Sequence, residues 1–268
     1  MMKILQGLIL GLVQGLTEFL PVSSSGHLIV FKKLFGIDQE QFGLTFDIAL
    51  HFATLIAVFI VFWPDILAIL KKPVQKLTGL LIIATIPAVL VGLFLDDYIE
   101  SISQSGGFLG IAFLVTAAAL YFSQKAGKRV KTIDSMGYGD AVVIGITQGI
   151  AVVPGISRSG STTSAGLFMG MEKESSLRFA FLMSIPVILG SAVLGVKDII
   201  TEPASVEWGA VIAGMIAAGV SGYYAIRFML NFFRKRSLNI FAVYVGILGI
   251  LILIDQLFFQ KFFDVFLM

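Results

Sequence analysis

The sequence predicts an all-α polytopic membrane protein, an inverted-topology repeat with about six transmembrane helices and two re-entrant broken helix pairs. Three observations carry this prediction. Of the 268 residues, 57% are hydrophobic and only 13% charged, against about a quarter charged in soluble domains. Apolar runs long enough to cross a bilayer recur along the chain. One short polar stretch occurs twice, half a chain apart.

The first apolar region, residues 4–36, fits no simple span. Lys3 ahead of an apolar run resembles a secretory signal, but Gln14 and Glu18 interrupt the run and no small-residue cleavage pattern follows. It reads as an uncleaved, working segment. Pro21 ends the helix that begins near Ile4, because proline disfavours helical geometry in the residue before it. Serines 23–25 suit the start of a new helix. The 11 residues from Gly26 to Gly36 make about 16 Å of helix, half a bilayer. This is a helix that enters, breaks and returns on the same side. Broken backbone at membrane depth persists only where protein buries it or it lines a wet cavity, so the break is itself a candidate site.

Six spanning candidates cover roughly 44–63, 77–95, 107–123, 178–196, 207–227 and 238–256. Basic connections "KKPVQK" (71–76), "QKAGKRVK" (124–131) and "FRKRS" (233–237) alternate with the acidic or mixed "DDYIES" (96–101) and "KDIITEPASVE" (197–207). The excess of Lys and Arg places the first set in the cytoplasm. Trp63 and Trp208 suit the interfacial belt, and Arg178 suits a snorkelling side chain.

Residues 140–172 form the second region that fits no simple span. "GLVQGLTEFLPVSSSGH" (11–27) aligns without gaps to "GITQGIAVVPGISRSGS" (145–161), with six identities in 17 positions. Gln14 falls on Gln148, Ser23 on Ser157, Ser25 on Ser159 and Gly26 on Gly160. The chain then divides into repeats of about 1–134 and 135–268 within a single membrane domain. Each holds one broken pair and three spans. An odd number of crossings inverts the second copy, so the two breaks enter from opposite faces and meet near the midplane. A further likeness, "ATIPAVLVG" (84–92) to "MSIPVILGS" (183–191), falls outside this alignment and reads as two proline-kinked helices.

Gly11, Gln14, Gly15 and Glu18 share one helical face. The glycines, with Gly7, read as a packing seam. Glu18 is a costly carboxylate at membrane depth and marks function. Each break offers hydroxyls and free N–H groups at a helix start: Ser23, Ser24, Ser25 and Gly26 in one, Ser157, Ser159 and Gly160 in the other. Such termini bind anions, and Arg158, standing where the first copy has Ser24, adds a fork for phosphate. Glu18 and His27 face Val152 and Ser161 in the alignment, so one copy supplies acid–base groups and the other charge stabilisation. That division suits phosphoryl transfer. Asp47 and His51 read as a hydrogen-bonded pair at the membrane boundary. The net charge of +2 does not point to nucleic acid. Two histidines and no cysteine exclude thiolate metal sites, disulfides and a cysteine nucleophile.

"QGLTEFLPVSSSGH" and "PGISRSGST", together with "FDIALHFATLIAV" and "RFAFLMSIPVI", resemble the bacterial undecaprenyl-pyrophosphate phosphatase family, also named for bacitracin resistance. The resemblance covers nearly the whole chain. It implies a multi-pass enzyme of the bacterial plasma membrane that hydrolyses the terminal phosphate of the C55 lipid carrier pyrophosphate, with its site open to the outer face. The lipid monophosphate is then recycled for cell-wall synthesis. By position, Glu18 matches a metal ligand or base, Ser24 a nucleophile or phosphate-binding hydroxyl, His27 the catalytic histidine and Arg158 the phosphate-binding arginine. A divalent cation, Mg or Ca, is implied, with Glu18 and Gln14 as its ligands. Gln14 stands where many members carry a second carboxylate. The rival reading is a transporter or flippase for a phosphorylated lipid or anion. Whether the chain works as a homodimer is left open.

Overall fold

Apolar runs punctuated by glycine, proline and basic clusters fold as helices throughout the described residues. The computed structural model describes residues 2–37, 42–95, 98, 99, 101, 106–201 and 207–263, over 194–201 the backbone alone. Among them run α1 (Met2–Phe19), α2 (Ser24–Leu34), α3 (Leu44–Val61), α4 (Trp63–Lys71), α5 (Lys76–Phe94), α6 (Leu109–Ser123), α7 (Tyr138–Ile150), α8 (Arg158–Phe168), α9 (Lys173–Thr201), α10 (Trp208–Lys235) and α11 (Asn239–Ile254). A π-helical turn, Asp255–Phe259, extends α11.

Five of these helices are long and apolar enough to cross a membrane. The sixth predicted span, 107–123, folds as the 15-residue α6, about 22 Å long and shorter than the roughly 20 residues a crossing needs. The span drawn over 44–63 stops at Val61, and Trp63 and Pro64 open α4 instead, proline being favoured in a first helical turn. In contrast, α9 and α10 run to 29 and 28 residues, well past the predicted ends. Within the acidic connections, residues 96, 97, 100 and 202–206 lie outside the described residues.

The glycine face of α1 packs as expected. A Cβ on Gly7, Gly11 or Gly15 would overlap the carbonyl oxygen of Ala210, Gly214 or Ala218 in α10. The partners advance together, so the two helices run parallel at backbone contact. A second pair repeats this: Gly145 of α7 lies on the Ala84 carbonyl of α5, and Gly149 on Pro87. The first turns of α1 and α7 lie at opposite ends of α10. Lys3 pairs with Glu207 at one end, at 2.9 Å. At the other end Arg234 pairs with Glu174 at 3.1 Å, Glu172 N–H donates to Lys131 O, and Lys131 binds Asp140 of α7.

Phe181 of α9 packs edge-on against Phe19 of α1 and Phe62 beside α3, seating the end of α1 in the main apolar core. Trp63 and Trp208 are both more than half exposed, in keeping with belt positions. Arg178, half-exposed, forms an ion pair with Asp65 of α4.

Candidate active site

Two helix breaks meet tip to tip. After α1 the chain turns at Pro21 and α2 starts at Ser24. After α7 it turns at Pro154 and α8 starts at Arg158. The N-cap of α2 is Ser23, whose Oγ accepts from Gly26 N–H; the N-cap of α8 is Ser157, whose Oγ accepts from Gly160 N–H. The aligned residues thus perform the same local task. Gly155 has φ +93° and a Cβ there would meet Ala112 at 2.7 Å, so only glycine fits this turn. Three bonds join the tips to each other and to α6. Gly155 N–H donates to Ser23 Oγ at 3.2 Å, Ser159 Oγ donates to Leu20 O at 3.0 Å, and Ser157 N–H donates to Thr116 Oγ1 at 2.9 Å.

Glu18 lies at this junction, buried, in the last turn of α1. Its Oε1 forms an ion pair with Arg158 Nη2 from the other hairpin. Its Oε2 accepts from Ser24 Oγ at 2.5 Å and from Gln14 Nε2 at 3.0 Å. Helical spacing puts Gln14 one turn below Glu18, and the helix break brings Ser24 back onto it. Within this cluster two buried polar atoms have no hydrogen-bond partner among the described residues, Arg158 Nη1 and Gln14 Oε1. One is a spare cationic donor and the other a spare neutral acceptor.

His27 does not join this cluster. One ring nitrogen, Nδ1, lies 2.7 Å from Ser23 O, and the other, Nε2, lies 2.8 Å from the Tyr244 hydroxyl. The ring is stacked on Tyr244 and meets Phe113 edge-on. Ser23 has φ +71°, unfavourable for a residue with a side chain, and His27 binds its carbonyl through both backbone N–H and ring. The imidazole that faces Glu18 is that of His51, with Nε2 at 3.6 Å from Oε2. Its Nδ1 donates to Asp47 O at 2.8 Å, while the Asp47 carboxylate takes buried Lys32 at 2.8 Å. Asp47 and His51 are therefore a link between α2, α3 and Glu18, not an isolated boundary pair. The sequence signal for this was present: a histidine and an aspartate one turn apart in a span with no other charge.

The cluster forms the polar floor of a cavity of about 700 Å³. Glu18, Ser23, Ser24, Ser25, His51 and Arg158 line it, with Ser157 and Gln148. Gln148, the partner of Gln14 in the alignment, presents a buried Oε1 with no hydrogen-bond partner. Of the residues expected at the site, Gln14, Gly26, His27, Ser159 and Gly160 lie behind the lining; Ser23 and Ser157 line it, but their hydroxyls are used as caps. Among the described residues no three acidic or imidazole side chains come together to hold a metal. Glu18 offers the cavity one carboxylate, shared with Arg158, Ser24 and Gln14, and the free Gln14 Oε1 lies behind it; Mg²⁺ can be bound by a single carboxylate together with substrate phosphates rather than in an all-protein cage.

Helices long enough to span a bilayer, around a buried acid–arginine–serine cluster, define a polytopic membrane protein with a charged and polar cluster in its interior. The chain belongs to the family described as bacitracin resistance protein BacA, whose model matches residues 7–251. It is 44% identical to a protein of Carboxydothermus hydrogenoformans over 95% of this chain and 98% of the relative. It is 42% identical to one of Halothermothrix orenii, over 94% and 98%, and 40% identical to one of Methanosphaera stadtmanae, over 95% and 98%. All three relatives are named undecaprenyl-diphosphatase.

Proposed function

We propose that this protein is an undecaprenyl-pyrophosphate phosphatase, releasing phosphate from the C55 pyrophosphate and leaving undecaprenyl phosphate for reuse in cell-wall synthesis. The observation that carries the reading is the Glu18–Ser24–Arg158 cluster at the floor of an apolar-walled cavity, in a chain whose relatives bear that name. Phosphate release from C55 pyrophosphate in detergent is the test. A carrier or flippase would bind the lipid and release none, since detergent leaves no second compartment.

In this mechanism the terminal phosphate sits over the first N–H groups of α2 and α8, which no preceding turn can satisfy. Arg158 Nη1 and the Ser25 hydroxyl add donors. Glu18 takes the proton of Ser24, whose Oγ attacks the terminal phosphorus. The bridging P–O bond breaks and lipid monophosphate leaves. Water then hydrolyses the phosphoserine. His27 is a positioning residue that holds the strained Ser23 turn, and His51 is the imidazole available beside Glu18. Ser23, Ser157 and Ser159, with Gly26 and Gly160, shape the cradle through caps and tip-to-tip bonds. A divalent cation would be held by Glu18 at the cavity floor together with the pyrophosphate, with the free Gln14 Oε1 behind Glu18, and would supply charge neutralisation.

The molecule is read as two inverted repeats, about 1–134 and 135–268, in a bacterial plasma membrane, with the hairpins α1–α2 and α7–α8 dipping from opposite leaflets. The parallel α1–α10 and α7–α5 pairs and the opposite ends at which α1 and α7 begin support this. The lining residues of α5 and α9 lie beyond Pro87 and Pro186, toward the ends distant from the basic connections. The cavity accordingly faces the outer side.

A further inference from the structure

The two helix breaks carry the same cap in two backbone states. Ser23 has φ +71° and ψ 101°, whereas Ser157 has φ −71° and ψ 116°. Both carbonyls accept from the N–H four residues on, that of His27 at 3.1 Å and that of Ser161 at 2.8 Å. The sign of φ is what separates them. The unfavourable positive sign falls in the copy that carries Ser24. In that copy a ring also grips the cap, with His27 Nδ1 2.7 Å from Ser23 O. Ser161, at the place of His27 in the second copy, has no ring to offer.

The contacts fix the protonation of that ring. Ser23 O can only accept, so Nδ1 carries the proton. A second proton would charge a side chain that is 3% exposed and held against Phe113 and Tyr244, which is costly. Nε2 therefore presents a lone pair, and the Tyr244 hydroxyl at 2.8 Å donates to it. Tyr244 comes from α11, is 48% exposed, and lies outside the cavity lining. Half a chain away the repeat has Gly110 in its place, so the second copy lacks the hydroxyl as well as the ring. The peptide unit that bears Ser23 O also bears Ser24 N–H, and it is planar. Holding the carbonyl thus sets the direction of Ser24, whose Oγ lies 2.5 Å from Glu18 Oε2.

We infer that Tyr244 is a positioning residue for phosphate release. By donating to His27 Nε2 it locks the ring that holds the Ser23–Ser24 peptide in its strained state, and so keeps Ser24 Oγ on Glu18. This rests on the reading of Ser24 as the nucleophile of a phosphatase. Tyr244 acts through His27, from the lipid-facing side of the hairpin.

Tyr244→Phe keeps the stacked ring and removes only the hydroxyl. In the full-length, detergent-solubilised protein, kcat for phosphate release from C55 pyrophosphate should fall about ten- to a hundredfold, the scale of a misplaced reacting group. KM should stay within about twofold, because no contact to the substrate is lost. In a His27→Ala background the same substitution should add nothing to the loss. Tyr224→Phe, 65% exposed on α10, is the control and should change neither constant. An unchanged kcat in Tyr244→Phe, a rise in KM alone, or an equal fall in the His27→Ala background overturns the inference. Nitrogen NMR gives a readout that needs neither turnover nor the His27→Ala variant. The chain has two histidines, so His51→Gln leaves His27 as the one imidazole. Labelled histidine should show a single tautomer, protonated at Nδ1, and adding Tyr244→Phe should move the Nε2 resonance toward that of an unbonded ring nitrogen. A proton on Nε2, or a resonance that does not move, overturns the inference. If the unsubstituted protein releases no phosphate, the phosphatase reading fails and takes the role of Tyr244 in turnover with it, while the resonance still reports the Tyr244–His27 bond.

Discussion

Glu18 is a buried carboxylate answered by one guanidinium, so the two charges depend on each other. Arg158→Ala strands the carboxylate, and losing one member of a buried pair costs about 3–5 kcal/mol. Adding Glu18→Gln to Arg158→Ala should restore part of the lost thermal stability in detergent although activity stays absent; a double variant less stable than Arg158→Ala contradicts the pairing. Ser24→Ala should lower turnover by about a thousandfold or more and abolish a trapped phosphoserine; near-normal turnover removes Ser24 as nucleophile. Gln14→Glu adds a second anionic oxygen where Gln14 Oε1 is free. It should lower the Mg²⁺ concentration that restores activity after chelation, and an unchanged titration contradicts a cation held there. Much of this was legible in the sequence, because a carboxylate and an arginine in apolar runs have few explanations. The two histidines take different places in the structure. Proximity along the chain favoured His27, but the helix break turns its ring toward Tyr244, whereas His51 arrives from α3 by tertiary packing that no local pattern encodes.

At the scale of elements, glycine spacing decides how closely helices approach. Gly11→Leu must push α1 off the Gly214 backbone and should cost about 1–3 kcal/mol by overpacking. Gly139, in the first turn of α7, has open space around it, and Gly139→Ala should be neutral or stabilise by up to about 1 kcal/mol. Thermal unfolding of the two variants in detergent checks both, and equal effects would contradict the seam. The α1–α2 break could be read from Pro21 and the serines, and its α2 is the predicted 11 residues long, displaced by two. The short α6 could not be read, because hydropathy reports what lipid or core will accept and not where a turn begins. The Ile-Pro likeness was visible as a pattern, but its use as paired cavity walls appears only when α5 and α9 face each other.

For the whole molecule, the account is two half-chains that each supply part of one site. The chain has no cysteine, so single cysteines report topology directly. In intact cells a membrane-impermeant maleimide should label Glu207→Cys, whereas Lys128→Cys should react only once the membrane is opened; labelling of both from outside contradicts the proposed orientation. The most direct test of the central claim is a double-mutant cycle on kcat/KM for phosphate release from C55 pyrophosphate, using Glu18→Gln, Arg158→Gln and the pair. Residues that act as a unit are strongly non-additive. The account predicts that the double variant is about as impaired as the worse single variant. Losses that multiply, as for independent sites, would contradict a catalytic centre assembled from both hairpins.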